Sequence, residues 1–400
     1  MSVGEESRVL FLFNHDAAHQ VAHIAGIAAQ LALNCPSIRV IAAVGTPAIR
    51  ATIDSIMPLD ARDRIEWVSL DLPTWLHAAL APFDKVAPVR RLARLRAHHA
   101  LFAGVDMIVS TERTCLRVKR ALGENAPAFC YVPHGSGDRN VAYHPELAQY
   151  DLFLLSGQKL IDEMQRHKIA RPDQCRLIGY PKFDTIDRDT RPRFFDNDLP
   201  VVVYNPHFDP HLSSWYTMGN DILGFFSKNA DKYNLIFAPH VMLFKKRLHI
   251  SPEYKVARFR PNIDTKYENC PNILIDTSSS RLFDMSYTLA ADMYIGDMSS
   301  QVYEFLIRRR PCFFMDVHSG KGNDNPDYEF WRNGDVCHTL EDLEKLIPVW
   351  RQRGKFYSGE QERLFRYTID DDAEIPSTVR GALSIENWLA EKSMTHRDHR

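Results

Sequence analysis

Short apolar runs alternate with longer amphipathic stretches through the first half of the chain. The runs predict strands at 8–13, 37–44, 65–70, 106–110, 128–132, 151–155 and 175–178. Several of the stretches between them repeat apolar residues at helical spacing and predict helices at 19–33, 47–56, 114–122 and 158–166. Strands that alternate with helices are typical of a parallel sheet with helices on both faces.

The same alternation restarts after a largely polar stretch, residues 188–200. It predicts strands at 201–204, 234–238, 273–275, 293–295 and 312–315, and helices at 221–232, 341–351 and 385–392. We therefore predict an α/β protein built from two successive doubly wound, Rossmann-like domains. The first domain spans 1–190 and the second 200–400, with the last helix free to pack back on the first domain.

Length and charge bear on the number of domains and on the partners. A chain of 400 residues that is 45% hydrophobic is longer than one hydrophobic core usually serves. The formal net charge is −2, so the whole protein has no general attraction for nucleic acid or for an anionic membrane. No apolar run approaches the roughly 18 residues of a membrane span, and the acidic first residues lack the basic start of a secretory signal. We expect a cytoplasmic protein without nucleic-acid partners.

The seven cysteines stand singly, and none forms a C-x-x-C pair. An odd number without paired spacing argues against a disulfide framework and against a structural zinc site. We therefore expect free thiols in packed segments of a protein in a reducing compartment.

A basic stretch, Arg90 to Arg96, stands out from the rest of the chain. On a helix, Arg90, Arg91 and Arg94 would share a face opposite the leucines of the same stretch. Such a helix could contact the inner face of the membrane or an anionic acceptor, or it could be an ordinary solvated helix face. The basic run 245–247 raises the same question.

The most informative segment follows the predicted strand 293–295. Gly296 and Asp297 come first, then Ser299 and Ser300 at the start of a predicted helix. Free N–H groups and two hydroxyls at the positive end of a helix favour a phosphate group. Glu304 lies one residue beyond the capping-box position of a helix capped by Ser300, so it could accept hydrogen bonds from the ribose of a nucleotide. A serine-capped helix after a strand is common, and the motif gains its value from its neighbours.

A histidine stands just after the predicted strand 128–132. His134 leads into a glycine-bearing loop, in which Asp138 is close enough in sequence to orient it. The carboxyl edge of a parallel sheet is where open α/β folds bind ligands. A near-neutral pKa suits a histidine for removing a proton from an acceptor hydroxyl. The alternative is a histidine that only caps the loop.

Three other predicted strands end in polar residues. One leads into His240, which could donate to a phosphate oxygen and stabilise its charge. Another leads into Asn205 and His207, which could line the same site, although a polar turn explains them almost as well. A third leads into a hydroxyl-rich segment that contains Ser279. These strand ends converge on one cleft if both sheets face it.

Several familiar sites are missing from the sequence. It contains no G-x-G-x-x-G after the first strand, no G-x-x-x-x-G-K-[ST], no G-x-S-x-G and no H-E-x-x-H, so dinucleotide, P-loop, nucleophile-elbow and zinc-helix chemistry lack support. His15, His19 and His23 repeat at every fourth residue and could bind a metal on one helical stripe. Because no carboxylate or cysteine partner is evident, we favour a polar helix face.

The motifs together resemble those of the CDP-glycerol glycerophosphotransferase family, which makes teichoic-acid and capsule polymers. The resemblance spans roughly residues 130–315. It rests on His134-Gly135, the segment Gly-Tyr-Pro-Lys-Phe-Asp at 179–184, Pro239-His240, and Gly296 to Ser300 with Glu304 and Phe305. It implies a GT-B fold, in which two Rossmann-like domains face each other across a cleft and the C-terminal one holds the nucleotide donor.

The resemblance also implies a reaction. An acceptor hydroxyl would attack the β-phosphorus of a CDP-alcohol and CMP would leave, with His134 as the base and His240 on the phosphate. Ser299 and Ser300 would bind the donor phosphates, and neither a metal nor another cofactor is required. The acceptor would be a glycan or a lipid-linked molecule.

Two other functions remain open from the sequence. A GT-B glycosyltransferase that uses a nucleotide sugar, or a UDP-sugar 2-epimerase of similar fold, would share the cleft with another substrate. A non-catalytic polymer-binding assembly protein would bind an acceptor without using a nucleotide.

Overall fold

The structure is a computed structural model that describes residues 6–15, 17–85, 87–135, 142–318, 326–371 and 374–397. These residues divide into two compact units. Unit 1 contains the described residues before 136, Tyr143–Thr185 and those from Tyr367 onward, while unit 2 contains Ala142 and Ile186–Arg366. The chain thus leaves unit 1 at Thr185, just ahead of the polar stretch 188–200, and returns to it at Tyr367.

Unit 1 contains a seven-stranded sheet in the order β3-β2-β1-β4-β5-β6-β7. All neighbouring strands are parallel. The strands are β1 Ser7–Phe13, β2 Ile38–Val44, β3 Glu66–Ser69, β4 Met107–Ser110, β5 Ala128–Tyr131, β6 Leu152–Leu155 and β7 Cys175–Leu177. The helices up to Arg166 are α1 Ala25–Asn34, α2 Pro47–Ile56, α3 Leu59–Arg64, α4 Thr74–Leu80, α5 Val89–Ala97, α6 His99–Ala103, α7 Leu116–Leu122 and α8 Gln158–Arg166.

Unit 2 contains a six-stranded parallel sheet in the order β12-β9-β8-β13-β14-β15, together with a separate two-stranded hairpin of β10 and β11. The strands are β8 Val201–Asn205, β9 Asn234–Phe237, β10 Leu248–Ser251, β11 Val256–Phe259, β12 Ile273–Ile275, β13 Met293–Gly296, β14 Cys312–Met315 and β15 Asp335–Cys337. The remaining helices are α9 Trp215–Lys228, α10 Ser286–Ala290, α11 Gln301–Phe305, α12 Leu340–Leu346, α13 Trp350–Thr368 and α14 Ser377–Arg397.

The central strands are buried on both faces, as the apolar runs predict. Along β1, Val9 and Phe11 point into one hydrophobic cluster and Leu10 and Leu12 into the other, because successive side chains of a strand alternate between its faces. Helix α14 completes the first cluster. Its residues Ala382, Ile385, Trp388 and Leu389 join those of α1 and β1.

Each sheet has one point at which its strand order reverses. This switch point lies between β1 and β4 in unit 1 and between β8 and β13 in unit 2. Loops that leave the carboxyl ends of two such strands diverge to opposite faces of the sheet and open a crevice, where doubly wound proteins bind ligands. The loops after β8 and β13 therefore define the first place to search in unit 2.

The strands agree with the sequence pattern, while the helices and the hairpin differ from it in places. A 3-10 turn, Ala18–His23, replaces the first part of the predicted helix 19–33. The helix predicted at 221–232 begins earlier, at Trp215. Strands β10, β11 and β15 are not predicted from the sequence, because polar residues interrupt each of these short segments and none forms an apolar run as β12 does.

The prediction that Arg90 to Arg96 form a membrane-facing or solvated surface is wrong for most of this stretch. The guanidinium of Arg90 pairs with Asp84, and that of Arg91 pairs with Glu112 in the loop after β4. The side chains of Arg91 and Glu112 are only 18% and 12% exposed. Carboxylates of unit 1 thus occupy the face of α5 that the sequence pattern assigns to an anionic partner.

The remaining two arginines of α5 differ from each other. Arg94 is 5% exposed, and its guanidinium lies 3.1 Å from the position that a Cβ atom on Gly45 would take. Arg96 is exposed. Helix α5 therefore presents one exposed arginine instead of a basic face.

The structure also bears on the predictions for the cysteines and for membrane-spanning segments. All seven cysteines are free and six of them are buried, which confirms the prediction of unpaired thiols in packed segments. Within the described ranges, no helix is both long enough and apolar enough to cross a membrane.

Candidate functional site

Asp297 joins the two loops at the switch point of unit 2. It follows β13, and its Oδ2 accepts hydrogen bonds from the backbone N–H of His207 at 2.8 Å and of Ser214 at 3.1 Å, both in the segment after β8. The side chain is 1% exposed. Burial raises the pKa of Asp297 to about 7, although hydrogen bonds from Ser214 and from the backbone of His207 act in the opposite direction. Asp297 therefore fixes backbone in this site and is unusually easy to protonate.

Two histidines stand side by side at the same edge of the sheet. The Nδ1 of His207 accepts from the backbone N–H of Asp209 at 3.0 Å, and the Nδ1 of His240 accepts from that of Met242 at 3.2 Å. An imidazole whose Nδ1 accepts a hydrogen bond is neutral and carries its proton on Nε2. The two ring centroids are 5.5 Å apart. The backbone thus sets both rings to act as Nε2–H donors, which suits an anionic oxygen.

Phe208 completes this group of rings. Its ring centroid lies 4.5 Å from that of His207 and 4.8 Å from that of His240. His207 is 6% exposed, whereas His240 is partly exposed. The packing restricts the orientation of both imidazoles.

The two serines after β13 have different roles in the structure. Ser299 is 7% exposed, and its Oγ accepts from the backbone N–H of Gln301 at 3.3 Å. Ser300 is partly exposed and makes no side-chain capping bond. Helix α11 has only five residues, so its dipole supports an anion less than that of a long helix would. The hydroxyl of Ser300 is the better placed of the two to contact a ligand.

Packing accounts for Gly296 and Asn205, which the sequence also places at this edge. A Cβ on Gly296 would lie 2.5 Å from the ring of Tyr294. The Nδ2 of Asn205 donates to the carbonyl of Ala238 at 2.7 Å, and its Oδ1 accepts from the Tyr294 hydroxyl at 3.2 Å. Asn205 thus links the ends of β8, β9 and β13.

The two remaining predicted donor-binding residues, Glu304 and Ser279, are on different elements. Glu304 is on α11 and is 4% exposed. Ser279 follows β12, which is three strands away from β13 in the sheet, or roughly 14 Å at the usual strand spacing. Its exposed hydroxyl donates to Asp276 and accepts from the backbone N–H of Arg281. The ribose contact of Glu304 stays a prediction, and Ser279 serves as a local cap.

His134 belongs to a cluster of histidines in unit 1. It follows β5 and is exposed, and its ring centroid lies 6.0 Å from that of His19. Although the side chain reaches solvent, nearby protein partly desolvates the ring and lowers the pKa of His134 below 6.5. A hydrogen bond with the backbone of Thr111 acts in the opposite direction. His134 is therefore neutral at pH 7, the state that a general base requires. Asp138, its predicted partner, lies outside the described residues.

The prediction that His15, His19 and His23 form a polar helix face is wrong for two of the three. His15 is 1% exposed and His23 is 2% exposed. Burial lowers the pKa of His15 to about 3, with a further contribution from the charge of Arg91, and burial also lowers the pKa of His23. Among the described residues, no group of three or more His, Cys, Asp or Glu side chains could hold a metal ion.

The segment 179–184 has a role that the sequence does not reveal. Gly179 has φ +82°, and a Cβ there would lie 2.6 Å from the carbonyl oxygen of Asp370. The Oδ2 of Asp184 accepts from the backbone N–H of Thr378, in the first turn of α14, at 2.7 Å. Lys182 between them is 4% exposed. This segment therefore holds the returning C-terminal chain on unit 1.

Comparison with solved structures shows the same fold in enzymes of two kinds. The wall teichoic acid polymerase TagF, soaked with CDPG, aligns with a TM-score of 0.61 and 15% identity over 97% of this chain and 90% of that chain. A UDP-N-acetylglucosamine 2-epimerase aligns with a TM-score of 0.59 and 10% identity over 99% of this chain and 97% of that chain. MnaA of S. aureus with UDP aligns with a TM-score of 0.56 and 10% identity over 96% of each chain.

These likenesses establish the fold of the chain. Its parallel sheets of seven and six strands match those of the GT-B neighbours. No protein-family model matches the chain, and no curated protein matches it by sequence.

Proposed function

We propose that this protein is a transferase that moves glycerol phosphate, or a related polyol phosphate, from a CDP-activated donor to a glycan or lipid-linked acceptor in cell-surface polymer synthesis. The observation that carries the proposal is the pair His207 and His240, two neutral Nε2–H donors at the switch point of unit 2. Ser300, whose hydroxyl is a further donor, follows β13, the strand that pairs with β8. The shared fold with a polymerase that was soaked with CDPG supports this choice of donor.

Donor binding falls to unit 2. A diphosphate that lies over the ends of β8 and β13 would accept hydrogen bonds from the two imidazoles and from the serine hydroxyl. As the bond between the β-phosphorus and the bridging oxygen breaks, negative charge grows on the departing CMP, and fixed donors of this kind stabilise it. N–H and O–H groups meet the phosphates in this mechanism, so we expect turnover to persist in the presence of EDTA.

Proton removal falls to His134 of unit 1. Its lowered pKa keeps the ring neutral at pH 7, and one nitrogen of a neutral imidazole can accept a proton. The acceptor oxygen attacks the β-phosphorus, its proton passes to His134, and CMP leaves with the electron pair of the broken bond. The acceptor thereby gains the glycerol phosphate or polyol phosphate group.

The first test separates proton removal from donor binding. His134→Ala should abolish CMP release from CDP-glycerol while the affinity for CDP-glycerol stays near that of the wild type. His99→Ala is the matched control, because His99 is an exposed histidine of the same unit. CMP release at the wild-type rate by His134→Ala would exclude His134 as the base.

The second test concerns the donor site. Ser300→Ala should weaken the binding of CDP by roughly 0.5–2 kcal/mol, the range of one hydrogen bond or cap. Ser279→Ala removes a hydroxyl three strands away in the same sheet and should leave the affinity unchanged. If calorimetric titration shows equal losses, or none, for the two variants, the donor does not bind at the β13 loop.

A nucleotide sugar is the second candidate donor, because UDP-N-acetylglucosamine 2-epimerases align with TM-scores close to that of the polymerase. Thermal-shift measurements with CDP-glycerol, CDP-ribitol, UDP-sugars and CMP-sugars separate the candidates, since a ligand that binds only the folded state raises the melting temperature. A shift with UDP-sugars alone would favour a glycosyltransferase or an epimerase. A non-catalytic assembly protein would show no shift with any of these nucleotides.

A further inference from the structure

The hairpin of β10 and β11 stands apart from the six-stranded sheet of unit 2. Its strands are antiparallel, and Leu248 pairs with Phe259 while Ile250 pairs with Ala257. Residues that are directly opposite each other in such a pair lie on one face, and the face alternates along each strand. The hairpin therefore has one face that carries these four residues and one that carries the residues between them.

The inner face anchors the hairpin to the rest of unit 2. His249 is 7% exposed and Ser251 is fully buried. The Nε2 of His249 lies 2.9 Å from the carbonyl oxygens of Leu243 and Lys246. At the turn, the ring of Tyr254 stacks on that of His211 with centroids 4.0 Å apart. The inner-face residues of β10 thus anchor the hairpin, whereas on β11 Val256 is partly buried and Arg258 is exposed.

The outer face is apolar and exposed. Leu248 is 44% exposed, Ile250 is 64% exposed and Phe259 is 70% exposed. An isolated exposed apolar side chain is ordinary, but three large ones on one short strand pair form a continuous apolar strip. Such a strip on an open two-stranded edge marks a surface that meets a partner.

The charge around this strip identifies the partner. Residues 245–260 contain six basic residues and one acidic residue, a formal charge of +5 in a chain whose net charge is −2. The basic side chains are Lys245, Lys246, Arg247, Lys255, Arg258 and Arg260, and all of them except Arg260 are exposed. Arg258 is directly opposite His249 and therefore belongs to the inner face. A cationic rim around exposed aliphatic and aromatic side chains complements a surface of anionic lipid headgroups over hydrocarbon.

We propose that the outer face of the β10–β11 hairpin docks on an anionic lipid surface. The exposed basic side chains that flank this face, Lys245, Lys246, Arg247 and Lys255, meet the headgroups. Leu248, Ile250 and Phe259 enter the boundary between headgroups and acyl chains. A soluble polyanion would use the same charges but would gain nothing from the apolar strip, which is why we assign the surface to lipid. This docking is independent of the proposed transferase activity.

Vesicle co-sedimentation of the full chain tests the proposal. We expect binding to vesicles of phosphatidylcholine mixed with phosphatidylglycerol, little binding to phosphatidylcholine alone, and weaker binding as salt is raised. Lys245→Glu/Lys246→Glu should lower the partition coefficient by roughly tenfold or more, since each basic residue near such a surface contributes severalfold. Ile250→Ser/Phe259→Ser should also lower it, at unchanged net charge.

Matched variants control for net charge and for exposed apolar area. Lys228→Glu/Lys232→Glu makes the same change in net charge on exposed lysines elsewhere in unit 2. Leu59→Ser removes an apolar side chain that is 70% exposed in unit 1. Both controls should bind vesicles as the wild type does, and circular dichroism spectra and thermal midpoints should show that all the variants are folded.

Three outcomes would overturn the proposal. The first is that the wild type does not bind anionic vesicles. The second is that the Lys245/Lys246 variant and the Lys228/Lys232 control lose equal amounts of binding. The third is that Ile250→Ser/Phe259→Ser binds vesicles as tightly as the wild type. Equal binding of soluble polyphosphate by the wild type and the apolar variant, without vesicle binding, would reassign the surface to a polyanion.

Discussion

Replacing the buried carboxylate of Asp297 should change the pH dependence of stability. Asp297 is 1% exposed, and burial raises its pKa from 3.8 to about 7. Each tenfold change in the ionisation constant corresponds to about 1.36 kcal/mol. The rise therefore corresponds to about 4 kcal/mol of folding free energy that is present at low pH and lost as the pH rises through about 7.

The sign follows from where the proton binds more tightly. The folded state holds the proton of Asp297 up to about pH 7, whereas the unfolded chain releases it near pH 3.9. Between about pH 5 and about pH 8 the loss of stability from this one group amounts to about 2.5 kcal/mol. Asp297→Asn keeps an oxygen that can accept from the N–H groups of His207 and Ser214 and removes the ionisation.

We expect the Asp297→Asn variant to lose about 2.5 kcal/mol less stability than the wild type over that pH interval. Urea unfolding followed by tryptophan fluorescence gives the two slopes, and Trp331, whose Nε1 donates to the carbonyl oxygen of Asp297 at 3.2 Å, is a local reporter. Asp297→Ala is the contrasting variant. It should lose about 1–3 kcal/mol for each N–H left without an acceptor, at every pH. Equal slopes for Asp297→Asn and the wild type would show that the pKa of Asp297 is not raised in the folded state.

Two further predictions concern unit 1. Gly157→Ala should destabilise unit 1 by roughly 1–3 kcal/mol or more in thermal or urea unfolding, because the added Cβ would lie 2.2 Å from the carbonyl oxygen of Thr368; an unchanged midpoint would show that this contact is loose. Arg91→Ala should destabilise the fold by roughly 1–3 kcal/mol, because it leaves the partly buried Glu112 without its ion-pair partner. The control Arg96→Ala changes an exposed position of the same helix, and its stability should stay within roughly 0.5 kcal/mol of that of the wild type. Equal effects in the two arginine variants would mean that α5 does not face inward as described.

The strand ends were the part of the site that the sequence could predict. Apolar runs mark the strands, and a parallel sheet brings their carboxyl ends to one edge, so His134, His207 and His240 could be found without a structure. Which ring nitrogen of each histidine carries the proton could not be found from the sequence. Whether His207 donates or accepts depends on the backbone N–H of Asp209, and that geometry is set by the turn and not by residue type.

The basic helix α5 and the histidine stripe show where sequence patterns fail. Spacing indicates which residues share a helix face but not what covers it, and Glu112, which covers Arg91, is on a loop after another strand. The spacing of His19 and His23 assumes 3.6 residues per turn, whereas Ala18–His23 is a 3-10 turn with three residues per turn. The polar-face hypothesis therefore assumed the wrong type of helix, an α-helix where the structure has a 3-10 turn.

The short hairpin escaped prediction for a different reason. Leu248 to Ser251 alternates apolar and polar residues over four positions only, and Pro252 then interrupts the pattern. So short an alternation is a weak signal. The basic run at 245–247 was visible in the sequence, but its apolar companion Phe259 is brought beside it only by the strand pairing.

The return of the chain to unit 1 has a consequence for the order of events during synthesis. One face of the unit 1 core is completed by residues of α14, namely Ala382, Ile385, Trp388 and Leu389. Gly179 and Asp184 can form their contacts with the residues around Asp370 and Thr378 only after those residues have been made. All the strands of unit 2 leave the ribosome before α14 does. The unit that is translated first is therefore the one that closes last, with its α1 face open to chaperones or to aggregation until residues 377–397 have been made.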